Sequence, residues 1–339
     1  MNNAFGLDIG SETIKIMQLV KKGAKPRVVA AGVAKNPLLG FISTNEKEIT
    51  PLAEAIKLLR KESGVTTALV TASMPERSVF IQTIEVPKMT EKELGQAILL
   101  QAESVIPKPM SEVSFDWRTI EDEKTQKEGK LKVLIIAAPL VLTEGYLKVL
   151  RLAGLDPLSL ESESLALTRF IQTTIGKKNI LVFSWGMKSA DIIVIKNGDF
   201  YLNRSLSGTG EALTRAINIG LGLDVPSADQ YKKTYGLSSE AEGKVGKTIQ
   251  PLLETLVNEI KKAVNFFEEK EQEKIPMMIL TGGSSLLSGA AEYFTKTLGL
   301  EVQIANPFYG LTVAPDFLET LRKDTPIFSV VTGLAAKEI

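Results

Sequence analysis

The chain contains neither histidine nor cysteine. With them go disulfides, thiolate nucleophiles, Ser-His-Asp and Cys-His triads, imidazole acid-base chemistry and the usual zinc and iron-sulfur ligands. Any metal site must therefore be built from oxygen. An excess of one charge is lacking too, since Lys plus Arg and Asp plus Glu each total 40. A formal net charge of zero gives no global field to hold nucleic acid or an anionic membrane by counterion release, which argues against a dedicated nucleic-acid binder. No stretch approaches about 18 uninterrupted apolar residues, and the start, MNNAFGLDIGS, has no basic region followed by a long apolar one. The expectation is a soluble cytoplasmic protein. What is present is a globular composition, 44% hydrophobic and 24% charged over 339 residues, long enough for two domains or more.

Internal repetition organises the sequence. Phe5-Gly-Leu-Asp-Ile-Gly10 lies over Leu181-Val-Phe-Ser-Trp-Gly186, an apolar strand running into a glycine turn. Second strands (13–20 and 190–196), Lys/Asn-Gly turns and third strands (27–33 and 200–205) follow in both copies. The pattern predicts two similar α/β halves, each opening with a β-meander. Apolar residues at helical spacing predict helices over 51–62, 90–105, 211–221 and 250–274, the second with the capping-box spacing Thr90-x-x-Glu93. A segment over 77–157 has its own order: strand 78–86, helix 90–105, strands 113–120 and 131–138, helix 140–153. Residues 121–130 carry no apolar side chain and read as an exposed hairpin tip or a flexible loop.

Three features can carry chemistry. In Leu7-Asp8-Ile9-Gly10-Ser11-Glu12-Thr13, the amides of Gly10, Ser11 and Glu12 can converge on a phosphate while Asp8 holds a hydrated Mg²⁺. Taken in isolation, the same residues read more readily as a plain turn with a solvated Asp. Met278-Ile-Leu-Thr-Gly282-Gly283-Ser284 runs an apolar strand through two glycines into a helix, either a backbone approach to a base or phosphate, or a strand-helix corner needing positive φ. Gly208-Thr209-Gly210 opens a further helix, and Asp229 and Lys232, three apart on one helix face, either grip ribose hydroxyls or form an ordinary ion pair.

The order of these features resembles the actin, sugar-kinase and heat-shock ATPase superfamily over nearly the whole chain. Within it the chain is similar to the PilM family of type IV pilus assembly, relatives of the cell-division protein FtsA. The residues that carry this are Gly6-Leu-Asp-Ile-Gly-Ser11 with Lys15, Met89-Thr-Glu-Lys-Glu-Leu94 leading to Ala102-Glu103-x-x-Ile106-Pro107, and Phe115-Asp116. Ala137-Ala138-Pro139, Ala153-Gly154-Leu155-x-Pro157, Leu280-Thr-Gly-Gly283, Asn306-Pro307-Phe308 and Gly333-Leu334-Ala335 add to it. The resemblance implies an α/β, actin-like ATPase fold of duplicated ribonuclease H-like lobes. The first lobe would take residues 1–76, 158–178 and 310–339, the second 179–309, and an inserted strand-helix-strand-strand (SHS2, FtsA-like 1C) subdomain 77–157.

It further implies a cytoplasmic, ATP-binding scaffold at the inner face of the membrane. Such a scaffold docks the cytoplasmic tail of a PilN-like protein and links it to pilus platform and motor proteins; homo-oligomerisation stays open. The nucleotide site would comprise Asp8, Gly10, Ser11, Glu12, Thr13 and Lys15, then Gly186, Gly208, Thr209 and Gly210. Asp229, Lys232, Gly282, Gly283 and Ser284 would complete it, with Asp8 holding Mg²⁺ through water.

The chain departs from the family pattern where Ser184 replaces an Asp, Thr209 the first glycine of a pair, and Asp229 a Glu. Loss of the acid at 184 weakens a hydrolase reading more than a binding one, leaving at most a weak ATPase. Trp185 is expected to pack between strand and cleft. Glu161 and Glu163 are either water-orienting carboxylates or solvated acids near a helix start. The sequence ends at Ile339 without a terminal amphipathic helix, so membrane association is expected to be indirect. A small-molecule kinase of the same superfamily and an FtsA- or MreB-like filament are the rival readings.

Overall fold

The computed structural model describes residues 4–23, 25–39, 42–238, 243–315, 317, 325–337 and 339. The repeated strand-turn pattern folds into the same meander twice. β1 (Phe5–Ile9), β2 (Thr13–Lys22) and β3 (Lys25–Lys35) run antiparallel, and α1 (Glu46–Glu62) returns the chain to β4 (Leu69–Met74), parallel to β1. With β8 (Asp156–Ser162) the sheet order is β3-β2-β1-β4-β8. β9 (Ile180–Trp185), β10 (Ala190–Lys196), β11 (Asp199–Leu206), β12 (Met277–Thr281) and β13 (Glu301–Ile304) repeat it as β11-β10-β9-β12-β13. The hairpin turns match as well: Gly10 N–H donates to Thr13 O (3.0 Å) and Gly186 N–H to Ser189 O (2.8 Å).

Between the halves, β5 (Phe80–Pro87), α2 (Glu91–Val105), β6 (Val113–Ile120), α3 (Glu123–Lys127) and β7 (Lys130–Pro139) form an antiparallel sheet in the order β5-β7-β6. The capping box forms as the spacing predicts, with Thr90 N–H donating to the Glu93 carboxylate at 3.1 Å. Helix α2 then lays Leu94, Ile98 and Ala102 onto Val133, Ile135 and Ala137.

Some boundaries differ from expectation. The 121–130 link is not a plain loop: Asp122 accepts from Thr125 N (3.0 Å) and starts the short α3. Helix α1 begins five residues before Pro51, because Asn45 caps it and accepts from Lys47 N at 3.2 Å. Helix α4 (Leu140–Leu152) sends Tyr146, Val149 and Leu150 into the core formed by Leu52 and Ile56 of α1. It packs chiefly on α1 and β8 while also touching β6 and β7, so it ties the inserted segment to the first half.

Helices α6 (Gly210–Leu221), α7 (Val225–Tyr235), α8 (Lys244–Glu271) and α9 (Ala290–Leu298) cover the second sheet. Trp185 lies in that core rather than beside the cleft. Its ring stacks on Phe183 (centroids 5.7 Å), meets Phe294 edge-on (5.8 Å), and its Nε1–H donates to Gly208 O at 3.1 Å. Alternation along β9 explains this, since Ser184 and Trp185 point to opposite faces. Two helices join the halves. α5 (Glu163–Thr174) sets Ala166, Phe170 and Ile171 among Val182, Ile193 and Ile195, and α10 (Ser329–Ala335) adds Val330 and Leu334. The other face of α10 covers Met17 and Leu19 of the first sheet with Val331 and Ala335. Contact is so close that a Cβ on Gly333 would stand 1.9 Å from Ala166 O.

Candidate functional site

A cleft of about 760 Å³ opens where the turns of the two meanders face each other. The first turn brings Asp8, Gly10, Ser11, Glu12, Thr13 and Lys15 to it, and the second brings Ser184, Gly186 and Lys188. Helix α7 contributes Asp229 and Lys232, and the corner after β12 contributes Gly282, Gly283 and Ser284.

Asp8 is the one acid on the buried strand β1, only 4% exposed, and both of its oxygens are engaged. Oδ2 accepts from Lys15 Nζ, its cross-strand neighbour, at 2.9 Å, and Oδ1 accepts from Ser73 Oγ at 2.8 Å. Asn36 Nδ2 donates to Gly10 O (2.8 Å) and steadies the turn. Because Gly10 N–H closes the hairpin by donating to Thr13 O, it is not available to an anion as the sequence reading had it, and the amides of Ser11 and Glu12 remain at the tip.

In the second turn the equivalent pair is Ser184 opposite Asp191. The acid missing at 184 thus has a counterpart across the ladder, on the same face of the sheet. Asp191 is 1% exposed; Oδ1 accepts from Ser205 Oγ at 2.5 Å, while Oδ2 has no partner among the described residues. Burial pushes its carboxyl above the ordinary aspartate range. Glu163, at the start of α5, lines the cleft nearby. Its carboxyl is pushed well up, first by burial and then by the charges of Asp8, Asp191 and Glu76. Glu76, 3% exposed, accepts from Ser164 N and Ser164 Oγ (2.8 Å each) and from Asn203, and burial raises it to about 7.

Glu161 does not belong to this group. Arg169 grips it through two bonds (2.9 and 3.0 Å), Lys337 pairs with it at 2.6 Å, and despite burial these cations hold it below the usual glutamate range. It is a structural acid joining β8, α5 and the residues after α10.

At the other end of the cleft, Asp229 pairs with Lys232 (2.7 Å) and Lys233 (2.6 Å); against its burial these bonds keep its carboxyl below the ordinary range. Lys232 is 7% exposed and also donates to Thr214 Oγ1 (2.6 Å) and Gly210 O (3.2 Å), so it braces α6 against α7. Gly208, Thr209 and Gly210 do not line the cleft. Gly208 lies under Leu256, Thr209 caps α6, and Gly210 N–H bonds Gly186 O at 3.0 Å. This run draws the second turn and the double-glycine corner together from behind. After Gly282 (φ +87°) comes a four-residue 3-10 turn, Gly283–Leu286, so the regular helix expected there starts later, at Ala290. A Cβ on Gly283 would meet no atom and would stand in the cleft.

Of the residues that sequence reasoning missed, Asp191 had a signal: the seven-residue offset of Asp8 and Lys15 recurs as Ser184 and Asp191. Ser73, Glu76 and Arg77 sit in no recognisable pattern: only the fold brings Ser73 onto Asp8 and puts Glu76 and Arg77 in the lining of the cleft.

The model of the family described as Type IV pilus assembly protein PilM matches residues 6–339. The chain belongs to that family. A solved PilM-PilN type IV pilus biogenesis complex is 29% identical, with 98% of this chain and 97% of that one covered and a TM-score of 0.85. The ethanolamine utilization protein EutJ from Carboxydothermus hydrogenoformans is 15% identical, covering 98% and 88% at a TM-score of 0.57. MreB 5 of Spiroplasma citri bound to AMPPNP is 12% identical, covering 97% and 94% at 0.50. The fold is that of the actin-like ATPases. Among the described residues no helix is long and apolar enough to cross a membrane.

Proposed function

We propose that the chain is a nucleotide-dependent docking scaffold of type IV pilus assembly. Its cleft would take ATP, and its partner would be the cytoplasmic tail of a PilN-like membrane protein, which would hold it at the inner face of the membrane and connect it to the platform and motor. The observation that carries the nucleotide part is the convergence of both meander turns, the Asp229–Lys232 pair and the double-glycine corner on one cleft. The partner part is supported by the likeness to a PilM-PilN complex over nearly the whole of both chains. Ser11 and Glu12 amides and Lys15 would face the phosphates, Asp229 the ribose, and Gly283 the adenine ring.

The donor set suits Mg²⁺ that arrives with the phosphates. Among the described residues no three acidic side chains form a cage, whereas Asp8 offers one carboxylate for an outer, water-mediated contact. The ion would supply charge neutralisation on the phosphate oxygens. This chain's own groups favour holding over hydrolysing: Asp8 is tied to Lys15, position 184 carries a hydroxyl, and Glu163 is driven toward its protonated form, a poor base.

Calorimetry with ATP and Mg²⁺, phosphate release followed for an hour, and titration with the PilN-like tail peptide test the proposal together. We expect saturable nucleotide binding, turnover of about 10⁻² s⁻¹ or slower, and different tail affinities with and without ATP. Gly283→Val is expected to abolish nucleotide binding while leaving Tm within a few degrees. No heat and no change in Tm with ATP would sink the nucleotide half; no tail binding in either state would sink the docking half.

A further inference from the structure

Among the described residues, the cations lining the cleft are, with one exception, already engaged by the protein. Lys15 is bonded to Asp8 (2.9 Å), Lys188 to Leu39 O (3.1 Å), and Lys232 and Lys233 to Asp229. Arg77 lines the same cleft, is exposed, and its guanidinium makes no hydrogen bond or ion pair to any described residue. A guanidinium is a planar fork of donors suited to two oxygens of one anion, so a cleft-facing one without an acceptor is a docking point for an anionic group of the occupant.

The backbone beneath Arg77 is held firmly. It is the middle residue of a 3-10 turn, Glu76–Ser78, closed by Ser78 N–H to Pro75 O and Val79 N–H to Glu76 O (3.0 Å each). On one side of it the Glu76 carboxylate is buried against Ser164 of α5 and Asn203 of β11, and on the other Val79 is buried in the first core. Arg77 therefore projects from a fixed turn, and only its side chain has freedom to close on a ligand. Its charge is felt by Asp191 and by Tyr146, and Tyr146 in turn feels Asp8 and Glu163. Those residues mark the end of the cleft formed by the two hairpin turns, away from the Asp229 end.

We propose that Arg77 is the residue that tells a nucleoside triphosphate from a diphosphate, by closing on the terminal phosphate oxygens. This rests on the nucleotide reading of the cleft. The turn that carries Arg77 runs directly into β5, so the terminal phosphate is sensed at the root of the three-stranded sheet.

The test compares AMPPNP with ADP, both with Mg²⁺, by calorimetry on the full chain and on Arg77→Ala, Arg77→Gln and Arg77→Lys. The expected result is a loss of tenfold or more in AMPPNP affinity for the Ala and Gln variants, less than twofold for ADP, and partial recovery in the Lys variant. Equal losses for both nucleotides, or none, would overturn the proposal while leaving the nucleotide reading in place. Variants that no longer fold would make Arg77 a structural residue and overturn it as well. A wild-type chain that binds neither nucleotide would overturn the cleft reading and this proposal with it.

Discussion

Glu76 shows how one buried carboxyl makes stability depend on pH. Its folded value is raised from 4.5 to about 7 by burial, a difference on the order of 3 kcal/mol between its two protonation states. A raised value means that the folded state holds the proton more tightly than the unfolded one. The contribution is therefore fully present below pH 4.5 and is lost as pH rises through about 7. Glu163 and Asp191, raised for the same reason, act in the same sense. Glu76→Gln keeps an acceptor for the Ser164 N–H and cannot ionise, so its Tm relative to wild type should climb between pH 5 and pH 8. A Tm difference that stays flat over that range would contradict the assignment. At this scale legibility was uneven: Asp8 and Lys15 announce themselves by position beside a glycine turn. Glu76 is an ordinary surface-type residue in the sequence, and only tertiary packing gives it partners from α5 and β11.

Among the elements, β9 distributes its residues most sharply. Alternation sends Ser184 toward the cleft and Trp185 into the second core, where its ring meets Phe183 and Phe294 and its N–H satisfies the Gly208 carbonyl. Trp185→Ala should cost about 3–5 kcal/mol in urea unfolding. Trp185→Phe should cost less but leave that carbonyl unbonded, about 1 kcal/mol or more. If Trp185→Ala behaved as a surface substitution, within about 0.5 kcal/mol of wild type, the packing described for β9 would be wrong. Strands and long helices were readable because burial marks them: β1 and β9 stand on the apolar runs read as strands, and α8 lies on the i, i+3, i+4 pattern, although it starts earlier, at Lys244, and ends at Glu271 rather than Lys274. Element ends were less so. Asn45 starts α1 through a side-chain cap that the apolar stripe does not record, and α3 forms in a segment without apolar residues because Asp122 caps it. The Gly208–Gly210 run looked like a ligand loop, yet its amides and carbonyls are used inside the protein.

At the level of the whole molecule, the duplication visible in the sequence places two hairpin turns of the same build face to face, and the cleft is what lies between them. The joint behind it is the α5–α10 contact at Gly333. Gly333→Ala would drive a methyl group into the Ala166 carbonyl, and overpacking there should destabilise by about 3 kcal/mol or more. Gly95→Ala is a suitable control. It lies in α2 with open space around it, and the change should raise stability by up to about 1 kcal/mol. A Gly333→Ala protein melting at or above the wild-type temperature would show that the helices are not in atomic contact. The placement of α10 also bears on how the protein is made. Strands β1 and β2 are synthesised well before α10, yet the apolar face of Met17 and Leu19 is covered by residues 328–335, which follow the whole of the second sheet in the sequence. The second sheet is contiguous in sequence and can assemble while synthesis continues. The first sheet must therefore wait, partly uncovered, until the second sheet and α10 have been made, which gives it the longer need of shelter in the newborn chain.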